Sequence, residues 1–192
     1  MSDGYFTVGG LIKLLAEAYD VIAITDHNHL TNPHPLQLQD AGDLLILRGI
    51  ELTFPSLHMV CIEPIDTSSV INILKSARLS WLAHPCYQVP KMTDMIEVVR
   101  RNYLDGVELY NSGELVFPKQ DIDLWPYNFY AGDDLHVSSQ LCTSWMEMEV
   151  KDKHDKDEII EKLVAGEHVN RRNPMDPVDR LLMRQTVLGD LP

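Results

Sequence analysis

Between residues 8 and 19 apolar side chains recur at Leu11, Leu14, Leu15 and Ala18, the spacing of one helical face. The period then changes. Asp20-Val21-Ile22-Ala23-Ile24-Thr25 is an unbroken run rich in β-branched residues, which predicts a strand covered on both faces, as in a parallel sheet. A second run of that kind spans 44–51, and a third, weaker one spans 58–62. A helix is predicted over 68–77 and a strand over 79–83, then a helix over 93–102 and a strand over 106–110. Further strands are predicted at 129–131 and at 143–150, where Met146, Met148 and Val150 alternate with Glu147 and Glu149. An amphipathic helix over 157–165 is stopped by Gly166. Strand, helix, strand in succession predicts parallel strands joined by crossover helices, an α/β fold that either a barrel or an open sheet satisfies. Residues 173–192, with Pro174 and Pro177, read as a tail with one short helix over 178–188.

The polar residues gather where these strands end. The first run ends in Thr25-Asp26-His27-Asn28 and the second in Gly49-Ile50-Glu51. The 79–83 strand ends in Ala83-His84-Pro85, the 106–110 strand carries Glu108 and is followed by Asn111, and the 129–131 strand leads into Gly132-Asp133-Asp134-Leu135-His136. In parallel α/β folds the C-terminal edge of the sheet is where sites are built, because the loops converge there. Each residue alone has an ordinary explanation as a cap, a turn residue or a solvated carboxylate. All five strand ends behaving alike is what those explanations leave as coincidence. Imidazoles and carboxylates facing one crevice repel or go unsatisfied without cations, and mixed ligation of this type suits zinc, manganese or iron better than calcium or a purely magnesium site.

Composition narrows the functional classes. The chain has 192 residues, 45% hydrophobic and 23% charged, the make-up of one soluble domain with a sizeable core. No apolar run reaches the ~20 residues that span a bilayer. Met1-Ser2-Asp3-Gly4 lacks the basic and apolar segments of a secretory signal, so a cytoplasmic location is expected. Cys61, Cys86 and Cys142 form no CxxC pair and read as small buried hydrophobes in a reducing compartment. A formal charge of −13 argues against long duplex nucleic acid and anionic membrane as partners. A small anionic substrate stays compatible, provided that cations reverse the local sign.

Taken in order, Asp3-Gly4, Thr25-Asp26-His27-Asn28, Gly49-Ile50-Glu51, His58, Ala83-His84-Pro85, Glu108 with Asn111, and Asp134-Leu135-His136 resemble the successive motifs of the PHP (polymerase and histidinol phosphatase) superfamily. The resemblance runs from residue 2 to about 172 and is nearest to the small stand-alone bacterial members. It implies a distorted (β/α)7 barrel with two or three divalent metals (manganese, zinc or iron, with magnesium possible) at the C-terminal face of the strands. By resemblance, Asp3, His27 and His136 hold one metal. Glu51, His58 and His84 hold another, with Glu51 bridging to a third position shared with Asp134. The implied reaction is hydrolysis of a phosphate ester, with Asp134 or His136 orienting the water and Asp26 fixing a histidine tautomer. Glu108, Asn111, Tyr87 and Lys91 are the candidates for contact with a small phosphorylated substrate, such as a nucleotide or a metabolite. His29 and His34 read as loop residues, and His154 and His168 as exposed ones.

One departure from that family stands out. Its members carry a strand ending in His-x-His ahead of the Ser-Asp-Gly found here at residues 2–4. The expectation is therefore a barrel lacking its first strand, with an exposed edge and a poorly furnished third metal position. Two competing readings follow. One is a catalytically impaired PHP remnant that binds metal or a partner. The other is a hydrolase using Cys86 near His84, for which a spacing of two residues across Pro85 is poor geometry.

Overall fold

The computed structural model describes residues 8–31, 41–85, 89, 91–135 and 140–173. Its elements run α1 (Val8–Ala16), β1 (Val21–Ile24), β2 (Leu45–Phe54), β3 (Leu57–Ile62), α2 (Val70–Ser76), β4 (Leu79–Ala83), α3 (Met92–Asn102), β5 (Gly106–Asn111) and β6 (Glu114–Leu115). A 3-10 turn (Lys119–Leu124), β7 (Asn128–Gly132), β8 (Ser144–Glu147), α4 (Lys156–Ala165) and β9 (Val169–Arg172) complete the order. The fold is mixed α/β and dominated by strands, with a sheet curled into a half-barrel.

The predicted alternation of strands with crossover helices is only partly what forms. β1 and β2 pair in parallel, and so do β4 with β5 and β5 with β7. β3 instead runs antiparallel to both β2 and β4. The reason is local: β2 continues past Glu51 to Phe54, and only Pro55-Ser56 separates it from β3, too short a link for anything but a hairpin. β1, β2, β4, β5 and β7 thus all point one way, and β3 starts where they finish. β8 and β9 pair only with each other, antiparallel, among the described residues.

Register sorts the side chains into two faces. Ala23 lies opposite Leu47, Glu51 opposite Val60, Val60 opposite Trp81, and Glu108 opposite Tyr130. On this inner face, Leu47, Val60, Ile62, Leu79, Trp81 and Tyr130 pack beneath Ile159, Ile160 and Leu163 of α4. The outer face buries Ile50, Leu52, Met59, Cys61, Leu82 and Val107 against Ile73 of α2 and Met95 and Val99 of α3. Ile12 and Leu15 of α1 cluster with Ala41 and Leu44. Cover on both faces is why these strands read as continuous apolar runs. Helix ends follow ordinary capping: Asp155 accepts from the Asp157 and Glu158 amides, and Gly166 closes α4 at φ 73°.

Close approach leaves no room for side chains at two glycines. A Cβ on Gly49 would lie 2.6 Å from Thr25 Cγ2 and 3.0 Å from Ile24 O, and one on Gly106 would lie 2.1 Å from Asn128 O. β1 hydrogen-bonds to β2 alone among the described residues and forms the edge of the sheet. Cys61 and Cys142 are free thiols, and burial pushes Cys61 up to about 12. No helix among the described residues is long and apolar enough to cross a membrane.

Candidate metal centre

The common direction of five strands brings their ends to one rim, and the hairpin adds the start of β3. His27 lies just beyond β1, where the chain stays bound to β2: the Asn28 amide donates to Glu51 O (2.8 Å) and the Glu51 amide donates to Asp26 O (3.1 Å). Asn28 Oδ1 also accepts from the Thr53 amide at 2.9 Å. His58 is the second residue of β3, opposite Thr53 on one side and Ala83 on the other. It therefore reaches the rim by entering the sheet there, and the other ligand candidates reach it by leaving.

Glu51 is the focus. Its Oε1 lies 2.6 Å from His58 Nδ1, 3.4 Å from His84 Nε2 and 3.8 Å from His27 Nδ1. The His27 and His58 rings meet edge to face at 5.4 Å between centroids, and those of His58 and His84 at 4.9 Å. Single ligand atoms of His27, Glu51 and His58 all lie within 4.8 Å of one another, so the three could hold a metal ion. Glu51 is 6% exposed. Burial drives its carboxyl upward, yet the His84 hydrogen bond and the charges of His27, His84 and His58 outweigh it and hold the group below its usual range. Burial likewise pulls the His84 imidazole down, and the Glu51 hydrogen bond with the charges of Glu108, Asp134 and Glu51 raises it overall. A buried carboxylate ringed by three imidazoles is a nitrogen–oxygen donor set that fits a divalent transition metal.

A second group sits beside the first. The His84 amide donates to Glu108 Oε2 at 2.7 Å, and Asn111 Nδ2 donates to Glu108 Oε2 (3.1 Å) and Asp134 Oδ2 (3.2 Å). Burial pushes Glu108 up to about 8, with the charge of Asp134 adding to the rise and His84 and Asn111 opposing it. Glu108 and Asn111, expected at the substrate, are both buried and hold His84 and Asp134 in place.

The backbone at the rim is strained. Asn28 (φ 51°), His84 (26°), Ser112 (48°) and Asp134 (49°) follow β1, β4, β5 and β7 in left-handed conformations. Each costs about 1–3 kcal/mol unless its surroundings enforce it, and such residues gather at functional sites. Asp133 supplies much of the enforcement. Its Oδ1 accepts from the amides of Thr143 (2.8 Å) and Ser144 (2.7 Å) and from Thr143 Oγ1 (3.0 Å). Its Oδ2 accepts from the Cys142 amide (2.9 Å) and the Tyr19 hydroxyl, whose pKa burial and Asp133 push far upward. Ser112 Oγ donates to Asp133 O at 2.7 Å, and Gln140 Nε2 donates to Asp134 O at 2.8 Å.

Of the residues expected at the site, His27, Glu51, His58 and His84 are brought together, and Asp134 joins them through Asn111. Asp3, His34, Cys86, Tyr87 and His136 lie outside the described residues, as does the helix expected over 178–188. Among the described residues Asp26 does not reach a histidine side chain: its carboxylate takes the Thr31 hydroxyl, and His27 Nδ1 is paired at 2.7 Å with Thr53 Oγ1. Lys91 stands at the N-cap position of α3, with no side-chain capping hydrogen bond. His29 lies in a loop as expected, and His154 is exposed as expected, paired with Asp43 at 2.8 Å. His168 departs from expectation: it precedes β9, and strand pairing lays its ring on Tyr130 (5.4 Å, 12°) with Nε2 2.7 Å from Phe129 O. The structural role of Asp133 is absent from the sequence reading. Its one signal is the Asp133-Asp134 doublet, whose two carboxylates meet different neighbours. No protein-family model matches the chain, and no curated protein matches it.

Proposed function

We propose that this protein is a metal-dependent phosphoesterase with a barrel of the PHP type. The observation that carries the reading is the convergence of His27, His58 and His84 on one buried carboxylate, Glu51, at the rim where the parallel strands end. His27, Glu51 and His58 would hold one divalent ion, with manganese, zinc or iron best matched to the donors. His84 and Asp134, steadied by Glu108 and Asn111, furnish the neighbouring position. A bound ion supplies Lewis acidity, which lowers the pKa of water and offsets charge on a phosphoryl group.

The chain's own residues do the rest. Asp134, fixed through Oδ2 by Asn111, orients the attacking water and accepts its proton. His136, next to it in the family motif, shares that task in this proposal. His84 Nε2 faces Glu51 Oε1 at 3.4 Å. The substrate is a small phosphate ester, a nucleotide or a metabolite, met in the cytoplasm. The charge of −13 disfavours long duplexes and anionic membranes.

Elemental mass spectrometry on protein purified without chelator, together with a phosphatase screen, tests this. The expected result is bound transition metal, with metal-stimulated hydrolysis abolished by His84→Ala and by Asp134→Ala. Metal without turnover would favour a catalytically idle metal-binding module. Full activity in both variants, or no metal at all, would overturn the site.

A further inference from the structure

Thr53 touches the histidine–carboxylate cluster without belonging to it. It is the penultimate residue of β2, two beyond Glu51, so the two side chains stand on the same face of the strand. Across the hairpin it lies opposite His58, and directly paired residues of adjacent strands share a face as well. Thr53 is thereby set beside two of the three residues whose ligand atoms cluster, and its hydroxyl meets the third: Oγ1 lies 2.7 Å from His27 Nδ1.

The residue after His27 grips the same stretch of β2. The Thr53 amide donates to Asn28 Oδ1 at 2.9 Å, and the Asn28 amide donates to Glu51 O at 2.8 Å. Asn28, at φ 51°, is thus tied to β2 through both its backbone and its side chain. His27 through its ring and Asn28 through its side chain close on one threonine. Strand propensity alone does not ask for this. Valine suits an extended strand as well as threonine does, and only the hydroxyl can pair with an imidazole nitrogen.

The groups around Nδ1 also give the pairing a direction. A neutral imidazole carries its proton on one nitrogen and a lone pair on the other, and only the lone pair can bind an ion. Beside Nδ1 stand the Thr53 hydroxyl, which can accept, and the Glu51 carboxylate at 3.8 Å, which when ionised has no hydrogen to give. Both favour the proton on Nδ1 and leave the lone pair on Nε2. Histidine ligands characteristically donate their other N–H to a supporting group in this way.

Resting on the metal-dependent reading, we propose that Thr53 is the positioning residue for His27: its Oγ1 accepts the Nδ1 proton, fixes the tautomer and orientation of the ring, and so presents Nε2 to a metal ion.

The test reads the proton directly. Two-bond proton–nitrogen NMR spectra of the chelator-treated full chain, in mildly alkaline buffer, distinguish a proton on Nδ1 from one on Nε2, with the His27 signals assigned by their loss in His27→Gln. Wild type and Thr53→Ser hold the proton on Nδ1. Thr53→Val, which keeps the shape of the side chain and loses the hydroxyl, does not. Zinc titrated into the same proteins against a chromophoric chelator binds Thr53→Val about tenfold to a hundredfold more weakly than wild type, and Thr53→Ser within about threefold. A threonine that served only the fold would leave the tautomer unmoved in Thr53→Val, whatever happened to its Tm. A proton on Nε2 in wild type, one tautomer common to wild type and Thr53→Val, or equal zinc affinity in those two would each overturn the assignment. Zinc bound by none of the proteins would overturn the metal-dependent reading, and the role of Thr53 toward an ion with it. Zinc bound as expected, with no phosphate ester hydrolysed, would overturn the phosphoesterase reading alone and leave Thr53 in its role.

Discussion

Replacing Asp133 by asparagine tests how the rim is held together. The aspartate accepts four hydrogen bonds from residues 142–144 and a fifth from the Tyr19 hydroxyl, so it ties the end of β7 to α1 and to the chain entering β8. Asparagine offers one carbonyl oxygen. Placed to keep the three donors at Oδ1, it turns its amide toward the Cys142 N–H, donor against donor, and loses the charge that strengthened the rest. A hydrogen bond to a charged group contributes about 1.5–3 kcal/mol, so the loss of one with weakening of the others gives a destabilisation of about 2–4 kcal/mol. Tyr19→Phe removes the hydroxyl's bond to Asp133 and the one it accepts from the Cys142 amide at 2.9 Å, and costs about 1–2 kcal/mol. Urea denaturation of the two single variants and the double variant closes a cycle. The double should cost less than the sum, because both changes break the same contact. An Asp133→Asn variant within about 0.5 kcal/mol of wild type, the scatter of ordinary surface changes, would refute the assignment of Asp133 as the anchor.

Three further predictions concern other parts of the frame. Gly49→Ala places a Cβ 2.6 Å from Thr25 Cγ2 and 3.0 Å from backbone, so it should cost about 1–3 kcal/mol and weaken metal binding through His27; unchanged Tm and affinity would count against the packing. Asp134→Gly relieves a left-handed residue at φ 49° and should stabilise the metal-free protein by about 1 kcal/mol while abolishing metal-stimulated hydrolysis, as read by denaturation and assay side by side. At Glu63 burial raises the carboxyl, but the Arg48 amide, Lys156 and the Arg48 charge outweigh it and hold the group below its usual range. Its contribution is thus present above about pH 4.5 and lost as pH falls through the lowered folded value. Glu63→Gln should therefore be destabilising at pH 7 and nearly neutral near pH 3 in urea titrations, and an equal effect at both would contradict the pairing.

What the sequence disclosed, and what it hid, divides along physical lines. β4 begins and ends where its apolar run does, because a strand buried on both faces has no competing period. His27, Glu51 and His84 were legible as strand-end residues for the same reason. His58 was not placed by that logic, since it opens an antiparallel strand; the two-residue link Pro55-Ser56 was the available clue to the hairpin. β6 has two residues and β9 reads Val-Asn-Arg-Arg, so neither carries a hydrophobic signal. Asp133 and Asp134 are chemically identical in a string of letters. Only the turn at φ 49° separates the residue that braces the loop from the one that faces Asn111.

His27 is delivered to Glu51 by a short strand at the edge of the sheet. β1 is four residues long and, among the described residues, paired only with β2, so its amides should open at a lower free energy than those of β4, and His27 is lost to the site whenever residues 26–28 peel from β2. Metal affinity is then multiplied by the fraction of molecules in which that edge is zipped. The reverse linkage holds with equal force: an ion shared by His27 and Glu51 sews the edge shut, so hydrogen exchange in β1 becomes a readout of occupancy at a site several residues away.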